Sequence, residues 1–288
     1  MRPATLAQPE ITAADFLKFR DFFYRKTGIH FDENKRYFVD KRLVDRIAAT
    51  GAADFRAYFI ALRFEAAGLE LQALVNAMTV NETYFFREVY QFDCLVRDML
   101  AEVVKRKRPG GRIRIWSIPS STGEEPYSVA IYLLERWALI NDYEVEILSS
   151  DIDTTVLAAA ERGIYSARSV ANLPKEYLAK YFKPVREGEW AISRDLVSAV
   201  EFSRINLTDP ADTRRFRDID VIFCRNLLIY FDDLSRKVAA EAMYESLNPG
   251  GFLCLGHSES MSRISSLYSV RRFTDALVYQ KPRPGDSA

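Results

Sequence analysis

One segment in the middle of the chain constrains the fold more than any other. Residues 113–128, IRIWSIPSSTGEEPYS, begin with strand-like alternation, pass through a loop of small residues and continue into a helix with Pro126 in its first turn. Residues 145–150, VEILSS, are a second apolar strand, and Asp151 follows at its carboxyl end. This order predicts an open α/β sheet with a ligand-binding turn, in which Asp151 lies where such sheets offer a carboxylate to a ribose.

The composition of the loop limits which nucleoside-like ligand it can hold. It has one glycine, Gly123, and no lysine, so it matches neither a dinucleotide fingerprint nor a P-loop. Glu124 and Glu125 would repel a phosphate and favour a ligand with positive charge. S-adenosylmethionine is such a ligand, and we expect Glu125 in particular to contact it. The local alternative is capping, because Ser121 with Glu124, and Thr122 with Glu125, each match a capping box.

Composition argues against several other classes of protein. Forty basic and 40 acidic residues cancel, so the overall charge gives no reason to expect a nucleic acid or an anionic membrane as partner. Three cysteines without C-x-x-C spacing and two histidines form no recognisable zinc site, so we expect no metal and a reducing cytoplasm. The first ten residues lack an apolar signal core, and no stretch approaches the roughly 20 apolar residues of a membrane span.

Hydrophobic periodicity divides the chain into a helical part and a mixed part. The predicted helices of the first part lie near 12–26, 33–48, 52–63, 68–78 and 88–107. After residue 112, strands alternate with helices, which predicts a mostly parallel sheet. The predicted strands are 112–117, 144–150, 219–224 and 251–256, and the helices lie near 123–138, 153–161 and 234–247. Segments 268–273 and 277–281 are close enough to form an antiparallel hairpin at one end of the sheet.

A stretch of short β-rich pieces at 181–202 interrupts this alternation. We predict a small β insertion there, which either covers a sheet edge or forms a binding surface. The expected domains are an all-helical domain at 10–87 and an α/β domain at 88–284, with the β insertion at about 176–204.

Five blocks of sequence carry a more specific signal. They are NETYFFR at 81–87, SSTGEEPYS at 120–128, SSDID at 149–153, FCRNLLIYFD at 223–232 and LNPGGFLCLGHSES at 247–260. Together they resemble the CheR-type chemotaxis receptor methyltransferases, over residues 12–281. The resemblance implies an all-α amino-terminal domain before a Rossmann-like class I methyltransferase sheet with a small β insertion. It also implies an S-adenosylmethionine-dependent O-methyltransferase that esterifies glutamate side chains on the cytoplasmic helical domain of chemoreceptors.

The same resemblance implies which residues form the site. Arg87 and Tyr230 match the two residues that face the transferred methyl group. The matching cofactor contacts are Asn81, Thr83, Arg87, Glu125, Asp151, Asn206, Leu207, Arg225 and Asn226. Ile118 and Pro119 depart from the family, because many relatives have small residues there. The stretch KPVREGEW also falls short of the glycine-bearing loop with which some relatives dock a receptor pentapeptide, so we do not expect pentapeptide tethering.

The chemistry implied by the family needs no general base. A glutamate side chain has an unperturbed pKa of about 4.3 and is already an anion at neutral pH. We therefore expect Arg87 and Tyr230 to orient the acceptor carboxylate by charge-assisted hydrogen bonds. His257, in the last block, is expected to support the end of the sheet and not to transfer a proton.

A basic stripe in the helical part suggests where a receptor could bind. Lys35, Arg42 and Arg46 fall at spacings of seven and four, on one face of the predicted helix at 33–48. The stripe either contacts an acidic receptor helix or is an ordinary solvated face. Two alternatives to the family function also stay open: a methyltransferase with another acceptor, such as a small acid or RNA, and a cofactor-binding regulator or scaffold without catalysis.

Overall fold

A computed structural model describes residues 10–285, which form two compact units divided between Val80 and Asn81. This division lies before the predicted boundary at residue 87. The reason is that the segment after Asn81 packs within the second unit, where the ring of Phe85 meets that of Tyr165 at a centroid distance of 4.8 Å. Residues 1–9, which carry nearly all of the segment predicted to lack a signal core, lie outside the described residues.

The first unit is helical, as predicted. Its helices are α1 (Ala13–Thr27), α2 (Arg36–Thr50), α3 (Phe55–Phe64) and α4 (Leu69–Met78), with a 3₁₀ turn at Glu33–Lys35. The amino end of α1 is stabilised by a capping box between Thr12 and Asp15. Buried aromatic residues, including Phe16, Phe19 and Phe23, fill the core beneath α1.

The second unit begins with a helical segment and continues into a seven-stranded sheet. The helical segment comprises α5 (Val89–Cys94), a π-helical turn (Leu95–Met99) and α6 (Leu100–Val104). The sheet strands are β1 (Arg112–Ser117), β2 (Glu144–Asp151), β6 (Val200–Arg204), β7 (Ile219–Cys224), β8 (Leu247–Leu255), β9 (Ser269–Arg272) and β10 (Leu277–Gln280). Their order is β6-β2-β1-β7-β8-β10-β9, and only the pairs made by β10 are antiparallel. The Rossmann-like sheet and its closing hairpin are confirmed.

A small antiparallel sheet is inserted after β2, in the order β3-β5-β4, as expected for the β insertion. Its strands are β3 (Ile164–Ser166), β4 (Phe182–Arg186) and β5 (Glu189–Ile192). The insertion therefore starts earlier than residue 176, and its predicted last strand belongs to the main sheet, where β6 pairs in parallel with β2. A short alternating strand has the same pattern in either sheet, so sequence periodicity could not assign it.

Helices connect the parallel strands of this unit, and those that follow β1 and β7 begin near the carboxyl edge of the sheet. They are α7 (Glu124–Arg136), α8 (Thr154–Arg162), α9 (Ala167–Val170), α10 (Lys175–Tyr181), α11 (Arg194–Ser198), α12 (Pro210–Thr213) and α13 (Asp233–Ser246). The core of this unit includes the buried side chains of Ile115, Val221, Phe223 and Phe252 on the central strands. Between residues 10 and 285, no helix combines the length and apolar character that crossing a membrane requires.

Candidate active site

The loop between β1 and α7 forms a tight turn at the carboxyl edge of the sheet. The Ser120 N–H donates to the carbonyl of Ser150 at 2.7 Å, and the Gly123 N–H donates to the Ser120 carbonyl at 3.0 Å. Gly123 has φ of 93°, and a Cβ there would lie 2.8 Å from Ala160 and 2.9 Å from Tyr127. The single glycine of the loop is therefore required both by its backbone conformation and by packing.

The first turn of α7 separates the two loop glutamates. Glu124 points inward, where its carboxylate accepts hydrogen bonds from Thr122 and Ser169, both at 2.6 Å. Burial raises the pKa of Glu124. The helix N-cap is Gly123, without a side-chain hydrogen bond, so the capping-box alternative is wrong for both Ser121 and Thr122. Glu124 thus stabilises the loop internally. Glu125 is then the loop glutamate that is predicted to contact a ligand.

Asp151 is buried at the end of β2, next to the same loop. One carboxylate oxygen accepts the Ser121 N–H at 2.8 Å, and the other accepts the Asp153 N–H at 3.0 Å. Burial raises the pKa of Asp151 to about 6. The hydroxyls of Ser120 and Ser121 are buried without a hydrogen-bond partner among the described residues. This region therefore presents both acceptor and donor groups that are available for a polar ligand.

Glu125 belongs to a buried charge cluster around Arg225. One oxygen of Glu125 accepts the Ser117 hydroxyl at 2.8 Å, and the other lies 2.8 Å from Nη1 of Arg225. Nη2 of Arg225 lies 3.2 Å from the carboxylate of Glu88. Two carboxylates thus surround one guanidinium, and a surplus of negative charge favours a cationic ligand over a phosphate.

Arg87 is half-buried and Tyr230 is exposed, and their predicted role at the transferred methyl group stays a prediction. Nη1 of Arg87 donates to the backbone carbonyl of Glu82 at 3.3 Å, and its guanidinium lies 5.7 Å from the centroid of the Tyr84 ring. Burial and then the Glu82 carboxylate raise the pKa of Tyr230, while the Arg87 charge opposes them. The phenol and the guanidinium are therefore within electrostatic reach of each other at the partly exposed rim of the site.

The other predicted cofactor contacts lie along the same edge of the sheet. Nδ2 of Asn81 donates to Asp153 at 3.0 Å, next to Asp151. Asn206, buried after β6, accepts hydrogen bonds from the backbone and hydroxyl of Thr208, at 3.1 and 2.9 Å. The remaining two are Thr83, half-buried, and Leu207, buried. Contact of any of these residues with the cofactor stays a prediction.

Sequence reasoning missed Glu259, which shapes the loop after β7. Its carboxylate accepts the backbone N–H groups of Asn226 at 2.7 Å and of Gly256 at 3.0 Å. Asn226 has a left-handed backbone with φ of 58°, which is uncommon for a residue other than glycine. Glu259 thus holds the turn that contains Asn226. The only signal in the sequence was its place in the block at 247–260.

The basic stripe of the first unit is largely engaged in internal contacts. Arg46 forms a two-point ion pair with Glu70, and Tyr58 donates to the same carboxylate at 2.7 Å. Nε of Arg42 donates to the carbonyl of Ala77 at 2.6 Å. Lys35 is exposed and precedes α2 instead of lying within it. Two of the three cations therefore stabilise the helical unit, and a role in receptor binding remains a prediction.

Comparison with known proteins decides the family. The family model described as CheR methyltransferase, SAM binding domain, matches residues 81–276, and the one described as CheR methyltransferase, all-alpha domain, matches residues 14–79. The chain belongs to the CheR methyltransferase family. Chemotaxis protein methyltransferase 2 of Vibrio cholerae is 55% identical over 277 residues, covering 96% of both chains. The chemotaxis protein methyltransferase of Salmonella typhimurium is 36% identical, covering 91% of this chain and 88% of the relative.

Membership in the CheR family confirms the predicted activity class, an S-adenosylmethionine-dependent methyltransferase of chemotaxis. The side chains at the sheet edge fit this cofactor. Asp151 offers acceptors for ribose hydroxyls, the unpartnered serine hydroxyls offer hydrogen bonds, and the cluster of Glu125 and Glu88 around Arg225 offers net negative charge to a sulfonium. When bound, S-adenosylmethionine supplies an electrophilic methyl group.

Protonation of Asp151 should weaken cofactor binding in mildly acidic solution. Because the pKa of this carboxyl lies at about 6, it gains a proton as the pH falls through that value and becomes a poorer hydrogen-bond acceptor. We expect the Kd for S-adenosylmethionine, measured by calorimetry, to rise as the pH falls from neutral towards about 5. Asp151→Asn should bind more weakly at neutral pH, by about 1–3 kcal/mol, with a flatter pH profile. If the Kd of the unchanged protein and that of Asp151→Asn depended on pH in the same way, the ribose would bind elsewhere.

Proposed function

We propose that this methyltransferase esterifies glutamate side chains of bacterial chemoreceptors, on their cytoplasmic helical domain, and thereby serves adaptation in chemotaxis. The observation that carries the proposal is the match to the CheR methyltransferase family models over residues 14–79 and 81–276, in which Arg87 and Tyr230 are the groups that we infer bind the acceptor. Both groups can bind the oxygens of a carboxylate, and neither is needed as a base. The names of the relatives, chemotaxis protein methyltransferases, support the same acceptor.

Arg87 and Tyr230 orient the acceptor instead of activating it. A glutamate carboxylate is ionised at neutral pH, so what limits the transfer is the approach of one oxygen to the methyl group along the line opposite sulfur. Hydrogen bonds from Arg87 and Tyr230 to the other oxygen fix that approach without masking the attacking one. The half-buried position of Arg87 also excludes part of the water that would otherwise solvate the carboxylate.

Histidine chemistry is not part of this mechanism. Nδ1 of His257 lies 2.8 Å from the carboxylate of Glu88, and its side chain is otherwise exposed. In this proposal the imidazole helps to hold the Glu88 carboxylate and transfers no proton, and its support of the sheet end stays a prediction. The transfer therefore depends on geometry and charge and not on a proton shuttle.

For receptor docking we propose contact through the exposed side of the helical unit. Lys35 is the most exposed of the three cations of the predicted stripe. Arg42 and Arg46 would contribute only the parts of their side chains that face solvent. The inserted sheet has a two-residue connection at Glu187 and Gly188 between β4 and β5. Such a short hairpin supports recognition without a receptor pentapeptide, and the enzyme would act in the cytoplasm, where the receptor helices lie.

A methyl-transfer assay tests the proposal. The enzyme is incubated with radiolabelled S-adenosylmethionine and membranes that contain a chemoreceptor with or without a carboxyl-terminal pentapeptide. We expect label on the receptor that is released by alkali as methanol, at similar rates for both receptor forms. A receptor whose methylatable glutamates are replaced by alanine should take up no label. Alkali-stable label would indicate another acceptor group, and cofactor binding without label on any receptor would favour a regulator or scaffold.

A further inference from the structure

Arg87 lies in a turn whose backbone conformation is costly. The residues on either side of it, Phe86 and Glu88, have φ of 60° and 56°, in the left-handed region. Neither is glycine, and such a conformation costs about 1–2 kcal/mol for each residue. A turn of this kind persists only where the surrounding structure holds it in place. Phe86 is held by burial and by its N–H, which donates to the hydroxyl of Ser128 at 3.0 Å.

Glu88 is held through its carboxylate, which has a partner on each oxygen. Oε1 lies 2.8 Å from Nδ1 of His257. Oε2 accepts hydrogen bonds from Gln91 at 3.0 Å and from the Tyr90 hydroxyl at 3.2 Å, and it lies 3.2 Å from Nη2 of Arg225. The side chain of Glu88 is only 11% exposed. Buried carboxylates with this many donors have a fixed orientation.

These partners tie the turn to the carboxyl ends of two central strands. Arg225 directly follows β7, and its Nη2 also donates to the backbone carbonyl of Arg87 at 2.7 Å. His257 follows β8, and Gln91 donates to the carbonyl of Leu255, the last residue of β8, at 2.8 Å. The backbone carbonyl of Arg87 and the side chain of Glu88 are thus both held by groups that follow the central strands of the sheet.

We propose that Glu88 is a positioning residue for methyl transfer, which acts through Arg87. The carboxylate of Glu88, bridged to Arg225 and His257, holds the left-handed turn in the one conformation that aims the Arg87 guanidinium at the acceptor carboxylate. The inference rests on the proposed function, because it assumes that Arg87 orients a glutamate. In this proposal neither Glu88 nor His257 contacts the cofactor or the acceptor, and both act through the turn that carries Arg87.

A double-mutant cycle tests this dependence. The enzymes compared are the unchanged protein, Glu88→Ala, Arg87→Ala and the double variant, assayed for receptor methylation at saturating cofactor. If Glu88 acts through Arg87, Glu88→Ala should lower kcat by about tenfold or more in the unchanged protein but by less than about threefold when Arg87 is already alanine. The Kd for S-adenosylmethionine is measured separately for each variant, because Glu88 also adds negative charge to the cluster around Arg225, and kcat at saturating cofactor isolates the positioning effect from this change in binding.

Glu135→Ala is the matched control for the loss of a buried, paired glutamate. Glu135 lies on α7, is 18% exposed, and pairs with Lys180 at 2.6 Å, so its removal should leave kcat unchanged. Glu88→Gln, which keeps an acceptor for Arg225, should retain more activity than Glu88→Ala. If Glu88→Ala does not fold, Glu88→Asp, whose shorter side chain cannot bridge both partners, takes its place in the cycle.

The outcomes separate the two proposals. Equal losses of kcat from Glu88→Ala in both backgrounds, or no loss in the unchanged protein, would overturn the positioning role of Glu88. A normal rate for Arg87→Ala alone would instead overturn the role of Arg87 in the proposed function. A large loss from Arg87→Ala with no further loss from Glu88→Ala supports both.

Discussion

Arg225→Ala should lower the free energy of unfolding of the α/β unit by about 3–5 kcal/mol. The guanidinium is the shared partner of two carboxylates, Glu88 at 3.2 Å and Glu125 at 2.8 Å, whose side chains are only 11% and 13% exposed. Removing it leaves two buried negative charges that repel each other and removes the donor to the Arg87 carbonyl. Urea denaturation followed by tryptophan fluorescence would measure the loss, since all three tryptophans lie in this unit.

Two further variants show whether the burial of charge causes the loss of stability expected for Arg225→Ala. Arg97→Ala also breaks ion pairs, with Asp98 and Asp275, but the Arg97 side chain is 50% exposed, so its loss should change the free energy of unfolding far less than the loss of Arg225. Combining Arg225→Met with Glu88→Gln and Glu125→Gln should recover part of the lost stability, because no buried charge is then left unpaired. If the Arg225→Ala protein were as stable as Arg97→Ala, unpaired buried charge would not be the cause of the expected loss of stability.

Much of the fold follows from patterns that act locally along the chain. The strand, loop and helix order around Gly123 was predicted correctly because an alternating strand, a turn that needs φ > 0 and an amphipathic helix each have their own signal. The capping-box alternative was wrong, and Glu124, which would complete one of the boxes, instead accepts a hydrogen bond from Ser169, in a distant part of the chain. Long-range contacts of this kind have no signature in local spacing.

The site was predictable to the extent that its residues occur in the family blocks. Resemblance, with the rule that sheet ligands lie at strand carboxyl ends, predicted Asp151, Arg87 and Tyr230 as site residues, and the structure has Asp151 at the end of β2. The contacts that hold these residues in place could not be predicted in this way. Glu88 and Glu259 bind groups that follow β7 and β8, and the pairing of Arg46 with Glu70 spans 24 residues. Which charges end up paired depends on tertiary packing, so a basic face in a sequence does not establish a free basic surface.

Arg87→Ala should lower the rate of methyl transfer by about 10- to 100-fold while the fold survives. The variant loses hydrogen bonds from a charged donor, worth about 1.5–3 kcal/mol, and each 1.36 kcal/mol is a factor of ten in rate. The fold should survive because, among the described residues, the Arg87 side chain makes one hydrogen bond, to the Glu82 carbonyl, and lies over the Tyr84 ring, while the Arg225 bond uses the Arg87 backbone, which alanine keeps.

Arg87→Lys separates charge from geometry. Lysine keeps the positive charge but not the planar fork that can hold one carboxylate oxygen at a fixed angle, so its rate should fall between those of arginine and alanine. Initial rates at saturating S-adenosylmethionine, with the Kd measured separately by calorimetry, distinguish a loss of orientation from a loss of cofactor binding. Full activity of Arg87→Ala would remove the guanidinium from the mechanism and leave Tyr230 as the group that must orient the acceptor.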